Sequence, residues 1–385
     1  MSSSGANASG PLAGIRILEL SGIGPAPFAA SILGDLGADV ARVDRPGGSG
    51  TGIPEELDAL RRSRRALTLD LREPAGVEAL LTMVESADVL IEGYRPGVAE
   101  RMGFGPGVCA VRNPRLVYGR MTGWGQDGPL ARTAGHDLNY VAITGALHAM
   151  GRKGEDPAIP LNLVGDFAGG SLYLVVGVLG ALLERERSGL GQVVDAAIVD
   201  GVAHLTTLFH GLMAAGAWRD QRGVNMLDSG VPWYDTYRTA DDRHVAVGAI
   251  EPTFYRQLMT TLQLDPDPQR RLDPQEWPQI RKEMTAAFAA RTREEWTEVF
   301  ADTDACVAPV LSFTEAIETP QLRERGVFVD VGGVAQPAPA PRFSRTPGSV
   351  QSAPASAGAH TRELLADYGV PDIDGLIDAG VAVQG

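Results

Sequence analysis

Apolar and polar positions alternate between two periods along the first third of the chain. Residues 15–20 (Ile-Arg-Ile-Leu-Glu-Leu) form a short apolar run that predicts a strand, 26–37 has helical spacing, and Asp39–Asp44 predicts a second strand, together one βαβ unit. Leu67–Leu71 predicts a further strand. The segment from Pro74 to Val84 predicts a helix with proline at its start, and Val89–Ile91 and Leu116–Tyr118 predict two more strands. Strands alternating with helices over about 120 residues imply an α/β fold with a Rossmann-like, open and mostly parallel sheet.

Beyond that stretch the pattern changes. From Phe167 to about Ala217 it is helical, broken near Ser188–Gln192. Val231–Arg238 and His244–Ile250 flank a turn at Asp241–Arg243 and read as a hairpin. Amphipathic helices follow at Thr253–Leu262, Glu276–Ala290 and near Thr292–Phe300, so the region is expected to be a smaller α+β domain. Residues 335–357 are rich in Pro, Ala and Ser and read as an extended linker before a last helix at His360–Tyr368. The expected organisation is a flexible tail at 1–10, a large α/β domain at 11–227, a small domain at 228–325 and a C-terminal segment at 326–385.

Composition narrows the function classes. A chain of 385 residues with 44% hydrophobic and 21% charged residues can bury a large core over two or three domains. A net charge of −14 without any Lys/Arg block argues against nucleic acid and anionic membrane as partners, yet leaves room for an anionic ligand on a local arginine cluster. Cys109 and Cys306 belong to no paired motif, which fits a reducing cytoplasm. The polar first ten residues resemble no secretory signal, and Val381–Gly385 is no peroxisomal address. The 17 uncharged residues between Asp166 and Glu184 include four glycines and are expected to form a buried helix rather than a membrane span.

Several features could carry chemistry, each with a plainer reading beside it. Gly22-Ile-Gly-Pro-Ala-Pro27, with Asp44 ending the next strand, has the outline of a dinucleotide fingerprint. However, Pro25 and Pro27 remove two of the N–H donors a pyrophosphate would need, so a tight strand-to-helix turn is the better reading. Arg45, Arg61, Arg62, Arg64, Arg65, Arg72, Arg95 and Arg101 cluster near predicted strand ends, where guanidinia suit phosphates or simply face solvent. His136–Asp137 after Gly135 could start a helix with a tuned imidazole, or be structural. Asp166 heads the long apolar helix as a functional acid or an N-cap, and Glu251 precedes Pro252 in the same two senses. Asp195, Asp200, His204 and His210 read as packing or surface residues. No P-loop, HExxH, GxSxG or metal-spaced carboxylate cluster occurs, and no metal is expected.

Taken in order, Pro11–Leu20, Gly34–Pro46, Asp88–Gly97, Gly123–Pro129 and Gly191–Asp195 resemble the family III CoA-transferase (CaiB/BaiF-like) superfamily, over about 11–347. Gly135–Tyr140, Gly165–Gly170, Gly248–Glu251 and Arg342–Thr346 resemble its α-methylacyl-CoA racemase branch. The resemblance implies an interlocked homodimer whose active site lies between the large domain of one subunit and the small domain of the other. It implies an acyl-CoA thioester substrate, with the CoA moiety bound as part of that substrate and no further cofactor. Carried over, the CoA contacts are Arg45, Leu69, Asp70, Leu71, Arg72, Gly93, Tyr94, Arg95, Arg101 and Gly135, Leu138, Asn139 and Tyr140. Racemase relatives often carry a small residue and then Lys where this chain has Leu69 and Arg72. His136 and Asp166 become the acid/base pair, supported by Glu251 and Asp137.

That assignment suits inversion at a carbon α to a thioester, which needs a base on one face and an acid on the other. Glu251 would orient the imidazole, and a helix N-terminus near Asp137 or Asp166 would serve the enolate oxygen. The alternative within the family is CoA transfer with Asp166 as nucleophile, which leaves His136 without a task. A non-catalytic acyl-CoA-binding protein and an NAD-dependent oxidoreductase are the remaining readings.

Overall fold

The computed structural model describes residues 9–48 and 52–385, so the tail expected at 1–10 lies outside it except for Ser9 and Gly10. The chain divides into two compact units. One comprises the chain up to Thr144, Pro160–Leu205 and Gln321–Gly385; the other comprises Gly145–Ile159 and Thr206–Pro320.

In the first unit, β1 (Arg16–Leu20), β2 (Asp39–Asp44), β3 (Arg65–Leu69), β4 (Val89–Glu92), β5 (Val117–Thr122) and β6 (Val193–Ala197) form a parallel sheet in the order 3-2-1-4-5-6. Leu18 faces Ala41 of β2 and Leu90 of β4, and Leu90 faces Tyr118 of β5. The inner strands are buried nearly throughout, as the strands of a parallel sheet are, yet β1, β2, β4 and β5 each bury a charged side chain: Glu19, Arg42, Glu92 and Arg120. Ile17, Leu18, Leu67, Val89, Leu90 and Ile91 are fully buried. The helices Pro25–Asp35 and Pro74–Val84 each begin with proline, whose fixed φ and missing N–H suit a first turn.

β6 lies in a stretch read as helical. Its residues alternate between exposed and half-buried before Ala196 and Ala197 turn inward, because it is an edge strand with β5 as its only partner among the described residues. Gly189, at φ 77°, ends the preceding helix. A Cβ on Gly191 would lie 1.9 Å from the Leu116 carbonyl oxygen, so the close approach of the two backbones requires glycine there.

The second unit holds an antiparallel sheet of β7 (Tyr234–Arg238), β8 (His244–Gly248) and β9 (Val307–Pro309), with Asp235 opposite Val247. Helices Pro252–Thr261, Trp277–Phe288 and Arg293–Phe300 pack Tyr255, Met284, Phe288 and Trp296 onto Trp233 and Tyr237. This unit also takes in 145–159 and 206–227, which the sequence pattern assigned to the large domain. Arg152 pairs with Asp235 at 2.6 Å, and Arg222 donates to the His148 carbonyl at 2.7 Å.

After it, β10 (Phe328–Val331) and β11 (Val334–Pro337) make a hairpin that reaches into the stretch read as linker. β12 (Ala382–Val383) then pairs antiparallel with β3, Ala382 opposite Leu69, which brings the C-terminal segment onto the sheet of the first unit.

Candidate active site

In the 3-2-1-4-5-6 order the connections depart in opposite directions from β1 and β4, and the crevice beyond their C-terminal ends is where open α/β sheets hold ligands. Two clefts occupy that edge. One, of about 510 Å³, is lined by Arg45, Leu69, Asp70, Leu71 and Arg72 among others. The other, of about 620 Å³, is lined by Gly93, Arg95, Gly135, His136, Tyr140 and Asp166 among others. Ser21, Gly22, Ile23 and Tyr94 line both. Most of the residues assigned to CoA contact thus lie on strand-end loops of one edge. Asp137, Leu138, Asn139 and Arg101 are outside the linings.

The turn after β1 makes room for the acid. Gly24 has φ 73° and ψ −122°, and a Cβ there would sit 3.2 Å from Asp166 Oδ2. Asp166 is not the N-cap its sequence position suggested. It lies inside a π-helical stretch, Leu163–Ser171, that runs into the helix Leu172–Ser188. Such wide turns are rare and cluster at functional sites. Small residues permit this one: a Cβ on Gly165 would lie 2.2 Å from Asp137 Oδ1, and one on Gly169 would lie 2.6 Å from Val202.

His136 precedes the helix Asp137–Ile143 in extended conformation, with its main-chain N–H donated to Asn139 Oδ1 at 3.0 Å. Its exposed side chain faces the same cleft as Asp166. Asp137 points back: its Oδ1 accepts the Asp166 N–H at 2.6 Å, while its Oδ2 is buried without a hydrogen-bond partner among the described residues. The Asp166 N–H is therefore committed. The main-chain N–H groups of Asp137 and Leu138, in the first turn of that helix, have no acceptor among the described residues.

Burial pushes the Asp166 carboxyl above the usual carboxylate range, and the neighbouring Asp137 carboxylate pushes it the same way; Asn162 and His136 pull against this. Asp137 is also raised by burial, opposed by the N–H groups of Asp166 and Gly165. Two adjacent carboxyls and one imidazole favour a neutral acid and a base in one cleft. Tyr140 closes the wall, its ring edge-on to Trp124 at 4.7 Å, and a Cβ on Gly123 would fall within that phenol.

Within the arginine cluster, Arg61, Arg62, Arg64 and Arg65 are spent on ion pairs, so for these four neither the phosphate-binding nor the solvent-facing reading holds. Arg61 pairs with Asp44 and Glu55, each at 3.1 Å, Arg62 with Asp35 at 2.6 Å, and Arg64 with Glu19 at 2.6 Å, all three guanidinia buried. Arg65 pairs with Asp39, Glu363 and Asp367. Arg72, exposed, pairs with Asp70 at 2.6 Å and holds that carboxyl down at about 2. Arg45, Arg95 and Arg101 have no ion-pair partner among the described residues; Arg45 donates only to the Gly48 carbonyl, at 2.9 Å.

Glu251 belongs to the second unit, where it precedes the helix Pro252–Thr261 without capping it through its side chain. Arg271 and Cys306 are its electrostatic neighbours. Sequence reasoning missed Trp124, Asn162 and Ile198 as cleft residues. Trp124 and Ile198 each lie just beyond a strand end, a usable signal once β5 and β6 are placed. Asn162 has no such signal. Asp195, read as packing, accepts the Gln126 N–H at 3.2 Å and so tethers the loop that carries Trp124.

A profile of CoA-transferase family III matches residues 12–361. The chain is 44% identical over 362 residues to an α-methylacyl-CoA racemase of Mus musculus, covering 93% of each chain. It is 44% identical over 366 residues to an α-methylacyl-CoA racemase of Homo sapiens, again covering 93% of each. Among solved structures, a CaiB/BaiF family protein from Brucella suis superposes with a TM-score of 0.81 at 25% identity, over 94% of this chain and 100% of that one. A mixed α/β unit with a large parallel sheet, the ordered strand-end motifs and a profile spanning nearly the whole sequence agree: the chain belongs to CoA-transferase family III.

Proposed function

We propose that this protein is an isomerase, an α-methylacyl-CoA racemase that interconverts (2R)- and (2S)-2-methylacyl-CoA thioesters by 1,1-proton transfer through an enolate. The observation that carries the reading is that His136 and Asp166 line one cleft while burial and Asp137 bias Asp166 toward its neutral form. One group takes the α-proton, the other returns a proton to the opposite face, and the roles exchange with the enantiomer bound. The Asp137 and Leu138 N–H groups are suited to the enolate oxygen. CoA lies along the strand-end loops, with Arg45, Arg95 and Arg101 as its unpaired cations, and enters as part of the substrate. Two proton transfers balance without any further cofactor.

The 44% identity to two racemases supports this reading over CoA transfer, in which Asp166 would attack an acyl carbon and His136 would have no role. Glu251 completes the site as the orienting acid, and it does so from a second copy of the chain. An apolar stripe supports the homodimer: Leu172, Val176 and Leu183 lie on one face of the helix Leu172–Ser188, with Val176 67% and Leu183 70% exposed. By length and composition the helix Leu163–Ser188 could also cross a membrane, and 44% of its most apolar window is buried. Its other face packs on β5 and β6, which favours a protein partner over lipid. Val176→Asp should convert a dimer to monomers in light scattering, and an unchanged mass would remove this face from the interface. Two free thiols suit a cytoplasmic setting.

The test is incubation with one enantiomer of a 2-methylacyl-CoA in D₂O without an acceptor acid. Deuterium at the α-carbon together with loss of optical purity is the expected result. No exchange, with CoA transfer appearing once a free carboxylic acid is added, would overturn it in favour of a transferase.

A further inference from the structure

Glu92 ends β4 with its side chain fully buried, yet it takes no part in the proton transfers proposed above. One of its oxygens accepts the Tyr94 N–H at 2.6 Å and the other accepts Arg120 Nε at 3.1 Å. Arg120, on β5, extends to Glu100 with bonds of 2.8 and 3.3 Å. Glu100 sits on the helix Val98–Met102, with its side chain 45% exposed.

Each end of this chain of charges is next in sequence to a cation that has no ion-pair partner among the described residues. Tyr94 lines both clefts and is followed by Arg95; Glu100 is followed by Arg101. A carboxylate in the core is a costly way to fill a strand end, because burial disfavours its charge. Burial pushes Glu92 up to about 7 despite Arg120 and the Tyr94 N–H; the other ionisable groups facing it are Glu100 and the Tyr94 and Tyr118 phenols. A purely structural strand end would be cheaper as an apolar side chain. What the acid adds is a side-chain link from the strand end through Arg120 to Glu100 on the helix Val98–Met102, beside the backbone bond from the Val98 N–H to the Arg95 carbonyl at 3.1 Å.

We propose that Glu92 is a positioning residue for the acyl-CoA site: through Arg120 it fixes the loop of Tyr94 and Arg95 relative to the helix of Arg101, so that both free guanidinia meet the CoA phosphates in one geometry. The inference rests on the acyl-CoA reading. Its test is calorimetric titration of free CoA into the full-length protein and its Glu92→Gln and Glu100→Gln variants, with thioester kinetics alongside.

Glu92→Gln keeps the shape and removes the charge. It should raise the Kd for CoA about tenfold and KM in parallel, with kcat within about twofold of the parent. Glu100→Gln, at the exposed end, should raise Kd about threefold and leaves the test intact if the buried variant does not fold. Parent-like CoA affinity in the folded variants, or a fall in kcat at unchanged KM, would overturn the proposal while leaving the acyl-CoA reading standing. Failure of the parent itself to bind CoA would overturn both.

Discussion

Asp137 Oδ1 accepts the main-chain N–H of Asp166 at 2.6 Å, across 29 positions of sequence. The bond joins the start of the helix Asp137–Ile143 to the π-helical turn of Leu163–Ser171, and so sets His136 and Asp166 on walls of one cleft. The same carboxylate adds negative charge beside Asp166 and raises its affinity for a proton.

These two roles separate by substitution. Asp137→Asn keeps an acceptor but removes the charge, so the limb of the pH–rate profile that belongs to Asp166 should move to lower pH. Asp137→Ala also leaves the Asp166 N–H without its partner, at a cost of about 1–3 kcal/mol in unfolding free energy. Urea denaturation and pH–rate profiles check the pair; an unmoved limb in Asp137→Asn would deny the electrostatic role.

Removing either proposed proton carrier should be severe and specific. His136→Ala and Asp166→Ala should each lower racemisation by roughly 10²–10⁴-fold while CoA affinity stays near the parent value. Chiral analysis and calorimetry read the two quantities. Retention of most activity in either variant would show that the acid/base assignment is wrong.

Glu92 makes stability depend on pH in a stated direction. Its carboxyl titrates near 7 in the fold against 4.5 in an unfolded chain, so the native state holds the proton more tightly. The stabilisation is complete below pH 4.5 and is lost as pH rises through 7, by up to about 3 kcal/mol. Relative to the parent, Glu92→Gln should lack this decline, as read from urea midpoints across that range.

Deep in the first unit, Arg64 Nε lies 2.6 Å from Glu19 Oε2, both side chains buried. Burial raises the Glu19 pKa and lowers that of Arg64, each working against its charge. Arg64→Met strands a buried carboxylate and should cost about 3–5 kcal/mol, most of it recovered by adding Glu19→Gln. A double variant as unstable as the single would show that packing, not charge, sets the loss.

Much of the first unit was legible because short strands rich in apolar residues alternate with segments of helical spacing, with glycine and proline marking the turns between them. Asp39–Asp44 and the helix Pro74–Val84 fall where the pattern put them. β6, β9 and β12 were not legible. They are edge or very short strands whose pattern is half solvent-facing, and only a partner strand distant in sequence reveals them.

By itself the sequence determined the alternation of strand and helix and the order of the strand-end motifs, because these are local patterns of polarity and side-chain type; it offered His136 and Asp166 as proton carriers only through the family resemblance that those motifs carry. Tertiary structure alone decided which charges are free. Arg62 meets Asp35, Arg65 meets Glu363 and Asp137 meets the Asp166 N–H across long gaps in sequence, and a charge spent on such a partner is no longer available to a ligand. The physical reason is that pairing and burial are properties of neighbours in space, and neither leaves a periodic trace along the chain.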